Sequence, residues 1–208
     1  MVIFMIYSVK GELIHIDHEL KLAVVECGGV GFACRTTSNS LEGLKIGENS
    51  RFLTYMSVRE DAIELFGFVT AHELNCFKML LSISGVGPKA ALSILSAMSP
   101  QTFALSVVAD DAKALTRVPG IGAKTAQLII LKLKDKLAGQ SDFAGLDTNT
   151  GKNSNTNRNM SSNSEAISAL LVLGFTAGES AVALSGLPEE METSEKIKQA
   201  LKKLSKNG

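Results

Sequence analysis

Two short stretches of this chain have the residue types and the spacing to hold a phosphate. Leu80-x-x-Ile83-x-Gly85-Val86-Gly87-Pro88-Lys89-x-Ala91 recurs 35 residues later as Leu115-x-x-Val118-x-Gly120-Ile121-Gly122-Ala123-Lys124-x-Ala126. Each copy ends one helix, turns through Gly-apolar-Gly and opens the next. The glycines allow backbone angles and a close approach that a Cβ obstructs. Val86 and Ile121 are suited to plug the space between the helices. Free N–H groups at the turn and at the new helix start can cradle a phosphate. Lys89 and Lys124 fall in a first helical turn, where the dipole disfavours a cation, so a lysine in both copies fits a facing anion. Two plain helical turns with solvated lysines are the alternative. The DNA-binding candidates are therefore Gly85, Val86, Gly87, Lys89, Gly120, Ile121, Gly122 and Lys124. Backbone amides and lysines read phosphates, which carry no base identity, and no Arg/Asn-rich recognition helix accompanies them.

A second constellation is acidic. Ser57-Val58-Arg59-Glu60-Asp61-Ala62-Ile63-Glu64-Leu65 puts Glu60 and Asp61 side by side at an expected hairpin tip. A polar turn is the simplest reading. A sharper one is a charged pin that repels phosphates at the axis of a symmetric assembly. A metal-dependent nuclease using Glu60 and Asp61 is the alternative from another class, weakened by the lack of a third ligand nearby. His15 and His18 near Asp17 read as a strand end and turn rather than a metal site. Gly120–Thr125 ends in Lys-Thr like a P-loop but has Ala123 where that motif needs glycine. Gly85-x-Gly87-x-x-Ala90 follows a helical pattern, not the strand a dinucleotide site requires. No cofactor or metal is expected.

These residues need elements to position them. Residues 1–69 read as a small β-barrel. Runs at Leu13–Ile16, Leu22–Glu26, Gly31–Cys34, Phe52–Val58 and Ile63–Phe68 are separated by turn signals, among them Gly28-Gly29 and Leu41–Gly47. Residues 70–138 read as helical. Thr70-x-x-Glu73 is a capping-box pattern, Ser99-Pro100 a cap followed by proline, Asp110 or Asp111 a further cap, and Ala123–Leu137 a last helix. From Thr148 to Ser164, thirteen of seventeen residues are Asn, Ser or Thr, so 139–164 is expected to be a tether reaching about 25–30 Å. Residues 165–208 return to helix, at Glu165–Leu173, after the capping box Thr176-x-x-Glu179, and at Glu195–Leu204.

The formal net charge of the 208 residues is zero, 21 basic against 21 acidic. That sum argues against a polyanion binder until it is divided. Residues 1–69 carry six basic and nine acidic residues, 70–138 eight and four, the tether two and two, and the tail five and six. The hairpin block is thus +4. With no Trp, two Tyr and nine Phe, the core is expected to be mostly aliphatic. The early apolar run Met1–Tyr7 is short for a membrane span and lacks the basic start of a secretory signal. Cys27, Cys34 and Cys76 form an odd set without CxxC, which suits a reducing compartment.

The order of these motifs resembles the bacterial RuvA family of Holliday junction branch-migration proteins. Gly28–Phe32 (GGVGF), Val58–Ala62 (VREDA), Leu65–Phe68 (LFGF), the hairpins SGVGPK and PGIGAK, and Leu171–Phe175 carry the resemblance over nearly the whole chain. It implies an OB-fold barrel, a central domain with two helix-hairpin-helix motifs, a flexible linker and a C-terminal three-helix UBA-like domain. It further implies a cytoplasmic, non-catalytic homotetramer, sometimes a double tetramer, that binds four-way junction DNA in recombination, repair and the SOS response. Glu60 and Asp61 match the family's acidic pin. Residues 165–208 match the domain that docks the hexameric ATPase RuvB, and the resolvase RuvC can join the complex. Two departures stand out: Ala123 and Leu128 occupy positions where relatives often carry basic residues, which implies milder salt sensitivity. The usual Met-Ile opening matches Met5-Ile6, so Met1–Phe4 reads as an extension or a misassigned start.

Overall fold

The computed structural model describes residues 5–143, 162–188 and 190–206. The chain groups into two compact units, residues 1–100 with 118–120, and residues 101–117 with 121–208. In the first unit, β1 (Ser8–Asp17), β2 (Leu22–Cys27), β3 (Val30–Arg35), β4 (Asn49–Val58) and β5 (Ile63–Phe68) form a closed barrel in the order β1-β2-β3-β5-β4. β1 pairs β4 antiparallel to complete the ring. β3 and β5 run parallel, joining Cys34 to Leu65 and Arg35 to Phe66. This is the five-stranded, OB-like barrel expected of the N-terminal part, and closure removes the open edges.

β1 and β4 are longer than their apolar runs suggested. Ser8–Glu12 pairs with Asn49–Leu53, and its mixed composition (Ser, Val, Lys, Gly, Glu) hides the strand from an apolar-run reading. Gly11 sits where an added Cβ would overlap the Glu26 carbonyl. A bulge between Leu13 and His15 follows. Beyond it Asp17 closes a turn, its Oδ1 accepting from Leu20 N–H at 2.8 Å.

A one-turn helix, α1 (Ser38–Leu41), opens ahead of the expected turn at Leu41–Gly47, capped by Thr37. Next come α2 (Ala71–Leu81) and α3 (Pro88–Ala97). Phe77 of α2 lies against Tyr55, Phe66 and Phe68, with ring centroids 5.6, 5.2 and 4.9 Å apart. The core is mainly aliphatic, as composition implied, but Phe52, Phe66, Phe68, Phe77 and Phe103 are among its largest fully buried side chains. In the barrel interior Val9, Leu13, Val25, Leu41 and Phe52 pack around Cys34. Burial, and then the neighbouring Cys27, push the Cys34 thiol up to about 12. Burial, and then Glu73, push up the Cys76 thiol.

The capping box expected at Thr70-x-x-Glu73 forms only by half. Thr70 Oγ1 accepts from Glu73 N–H at 3.1 Å, but the Glu73 carboxylate turns to α1 instead. Thr37 Oγ1 and Ser40 Oγ each donate to it at 2.7 Å. Ser40 Oγ in turn accepts from Val69 N–H at 3.2 Å. On the other side, Asn39 donates to the Leu95 carbonyl at 2.7 Å and Ser96 Oγ accepts from Ser38 N–H at 3.2 Å. Both helices of the first hairpin are therefore fastened to the barrel.

The second unit holds α4 (Pro100–Val108), α5 (Ala112–Thr116), α6 (Ala123–Phe143), α7 (Ser162–Val172), α8 (Ala177–Leu184) and α9 (Thr193–Lys206). Asp111 caps α5, accepting from Ala114 N–H at 3.0 Å. Asp110 takes a left-handed conformation, φ 61°, and pairs with Lys134 of α6 at 2.7 Å. α6 runs past the expected end near 138, because a lone Gly139 weakens a helix without stopping it. α7 likewise begins at Ser162, ahead of Glu165. Residues 144–161, the middle of the expected tether, lie outside the described residues, as do residues 1–4. The three tail helices share a core of Leu170, Leu173, Phe175, Leu184 and Leu201, and the capping box at Thr176 and Glu179 forms in full.

Candidate nucleic-acid interface

The first hairpin joins α2 to α3. α2 ends at Leu81 with Ser82 as its C-cap, and Val86 N–H donates back to the Ile83 carbonyl at 3.0 Å. Gly85 has φ 88°, a left-handed angle that disfavours any side chain. Val86 is 5 % exposed and fills the space beneath the turn. Gly87 is the N-cap of α3, φ −89° and ψ 173°, with no side-chain cap, and Pro88 follows it. The first-turn N–H groups of α3 therefore lack a capping side chain. Lys89 is exposed beside them.

The second hairpin repeats this construction between α5 and α6. Gly120 has φ 84°, Ile121 is 4 % exposed, and Lys124 is exposed in the first turn of α6. Ala126 N–H donates to the Gly122 carbonyl at 2.9 Å, as Ala91 N–H does to Gly87 at 3.0 Å. The chain passes from one compact unit to the other between Gly120 and Ile121. Ala123 is exposed at the helix start and Leu128 half-buried.

In both copies the second glycine differs from the first. Gly87 and Gly122 do not have the positive φ of Gly85 and Gly120, and a Cβ at either would meet no atom within 4 Å. The fold itself does not demand glycine at those two positions. A group that comes close to the backbone from outside would.

The acidic tip is the four-residue connection Arg59–Ala62 between β4 and β5. The last ladder pair is Val58 with Ile63, and Arg59 N–H donates to the Ala62 carbonyl at 2.8 Å. Glu60 and Asp61 project from the end, both exposed. Behind them Glu64 lies between two cations, 2.9 Å from Arg35 Nε and 3.7 Å from Arg59 Nη2. Nothing in the spacing of Arg35, Arg59 and Glu64 foretold that one carboxylate would meet both arginines; the parallel β3–β5 register brings them together. Burial lowers the ammonium pKa of Lys78 on α2. Among the described residues no three His, Cys, Asp or Glu side chains are placed to share a metal ion.

Comparison with known proteins follows the same division. A model described as the RuvA N terminal domain matches residues 5–67, a SAM-like helix-hairpin-helix tandem matches 77–135, and the RuvA C-terminal domain matches 161–205. The "Holliday junction branch migration complex subunit RuvA" of Acetivibrio thermocellus is 43% identical over 95% of this chain and 98% of its own length. The protein of the same name from Thermoanaerobacter sp. (strain X514) is 42% identical over 97% and 100%. That from Methylibium petroleiphilum is 41% identical over 88% and 91%. With barrel, paired hairpins and three-helix tail matched in order at this identity, the chain belongs to the RuvA family.

Proposed function

We propose that this chain is a non-catalytic DNA-binding subunit that recognises four-way junctions by structure rather than sequence, holds them open, and recruits a RuvB-type ATPase for branch migration. The observation that carries this is the doubled hairpin. Each copy presents an exposed lysine beside first-turn amides, with a glycine whose bareness the fold does not require. Such hairpins hold phosphates without reading bases. The close relatives are named as subunits of the Holliday junction branch-migration complex, which supports the same substrate here.

Within this reading, residues 1–69 supply oligomerisation and the acidic pin, 70–138 the duplex contacts, 139–164 the tether and 165–208 the RuvB-docking domain. RuvC is the further partner, and the cytoplasm the compartment. A homotetramer gathers four +4 hairpin blocks, about +16 in all, and multivalency turns weak contacts into strong binding. Glu60 and Asp61, repeated fourfold, keep phosphates off the centre and shape the strand paths.

Gel-shift titration of four-way and linear duplex DNA of the same sequence tests the proposal. Preference for the junction by at least about ten-fold is expected from fourfold contact. Equal affinity for both substrates sinks the structure selectivity. Cleavage products formed with magnesium alone, and lost in Glu60→Gln with Asp61→Asn, return the nuclease reading.

A further inference from the structure

The helices of the second hairpin meet through little packing. α5 has five residues and buries one side chain, Leu115, and apolar contact carries no direction. A single buried leucine leaves the angle between α5 and α6 loosely set. Two aspartates ahead of α5 divide the work at the end of α4. Asp111 N–H donates to the Ser106 carbonyl at 2.9 Å and Asp110 N–H to Val107 at 3.2 Å, the helix ending that glycine usually makes. The Asp111 side chain then caps α5. Asp110 holds the left-handed position, φ 61°, where glycine would be least strained. Its carboxylate turns instead to Lys134 Nζ on α6, 2.7 Å away. Asp110 and Lys134 stand equally far in sequence from Gly122, so the pair closes the hairpin opposite its turn. Side-chain exposure of 67% for Asp110 and 40% for Lys134 means that the pair adds little to stability. What it supplies is direction. The first hairpin is tied at the same level by other residues: Glu73 of α2 to Thr37 and Ser40, Leu95 and Ser96 of α3 to Asn39 and Ser38.

We propose that Asp110 is a positioning residue for the second hairpin. Through Lys134 it sets α6 against α5, so that Lys124 and the first-turn amides of α6 face one phosphate together. This rests on the reading of that hairpin as a duplex-backbone site. The amides at a helix start move as one body with their helix. Hydrogen bonds to an anion weaken steeply once their donors leave its line, so a small swing of α6 releases several at once. Aspartate in a glycine position is explained by this tie and not by the turn.

The full-length protein is titrated with a four-way junction, and each variant is melted in parallel. Asp110→Gly relieves the left-handed strain and removes an acidic group, so charge alone predicts tighter binding and an unchanged or higher thermal midpoint. The positioning role predicts that same midpoint with a Kd raised at least about five-fold, since the proposed tetramer carries the change in four copies. Tighter or unchanged binding overturns the role, as does a lowered midpoint that accompanies the loss. Lys134→Met is expected to weaken binding equally, and to add nothing further when combined with Asp110→Gly. Additional weakening in the double variant would mean that Lys134 acts on its own, and overturns the tie. Lys134→Arg, which keeps a cation for Asp110, is expected to bind within about two-fold of the native chain; a loss as large as that of Lys134→Met counts against the pair. Lys124→Ala separates failure of this role from failure of the parent reading. If Lys124→Ala weakens binding and Asp110→Gly does not, the positioning role falls and the hairpin site stands; if neither does, both fall.

Discussion

The four hairpin glycines are of two kinds, and only one kind is explained by the fold. Gly85 and Gly120 hold left-handed angles, φ 88° and 84°, so alanine there strains the turn by about 1–2 kcal/mol whatever is bound. Gly87 and Gly122 have neither positive φ nor a neighbour within 4 Å of an added Cβ. Gly87→Ala is therefore expected to change stability by no more than about 1 kcal/mol, since a poorer N-cap is offset by a stiffer unfolded chain. In the proposed complex a Cβ at that point stands between the bare amides and a phosphate. Loss of one charge-assisted hydrogen bond of about 1.5–3 kcal/mol weakens junction binding ten-fold or more. Thermal melts and gel shifts on the one variant check both halves. A variant that melts early and binds normally would reverse the assignment and make Gly87 structural.

At the scale of elements, Glu73 ties the first hairpin to the barrel. Its carboxylate accepts from Thr37 and Ser40 of the α1 turn, while its backbone begins α2. Removing it leaves two buried hydroxyls without their acceptor. Glu73→Ala is thus expected to cost about 2–4 kcal/mol, read as a lower urea midpoint. Glu73→Gln, which keeps one acceptor oxygen, is expected to cost less. The same residue shows where sequence stops. Thr70-x-x-Glu73 correctly marked a helix start, because a cap is local chemistry. Whether the glutamate folds back on its own helix or reaches a turn 33 residues away is a tertiary choice that spacing does not encode. The hairpins were legible because their signal is local and doubled. The Arg35–Glu64–Arg59 cluster was not, because a parallel strand pairing assembles it from distant positions. Even the extent of β1 escaped, since Ser8–Glu12 earns its place by pairing with β4 rather than by an apolar run.

For the whole molecule, the zero net charge conceals unlike pieces: an acidic barrel, a +4 hairpin block, a neutral stretch over 139–164 and a slightly acidic tail. α7, α8 and α9 pack on one another and bury Leu170, Leu173, Phe175, Leu184 and Leu201, and Thr193 Oγ1 donates to Glu165 at 3.0 Å to join the start of α9 to α7. The tail also leaves apolar surface uncovered, Val182 being 72% and Leu171 42% exposed. At net −1 the tail adds little attraction to DNA, whereas an exposed valine and leucine on short helices suit a protein partner. Deleting 165–208 is accordingly expected to leave junction affinity within about two-fold, because the proposed phosphate contacts and their salt dependence stay with the hairpins. The same deletion is expected to abolish stimulation of the RuvB-type ATPase on junction DNA. Two assays on one truncated protein, a gel shift and a steady-state ATPase measurement, separate the functions. Full ATPase stimulation without the tail would move motor recruitment onto the barrel or the hairpin block.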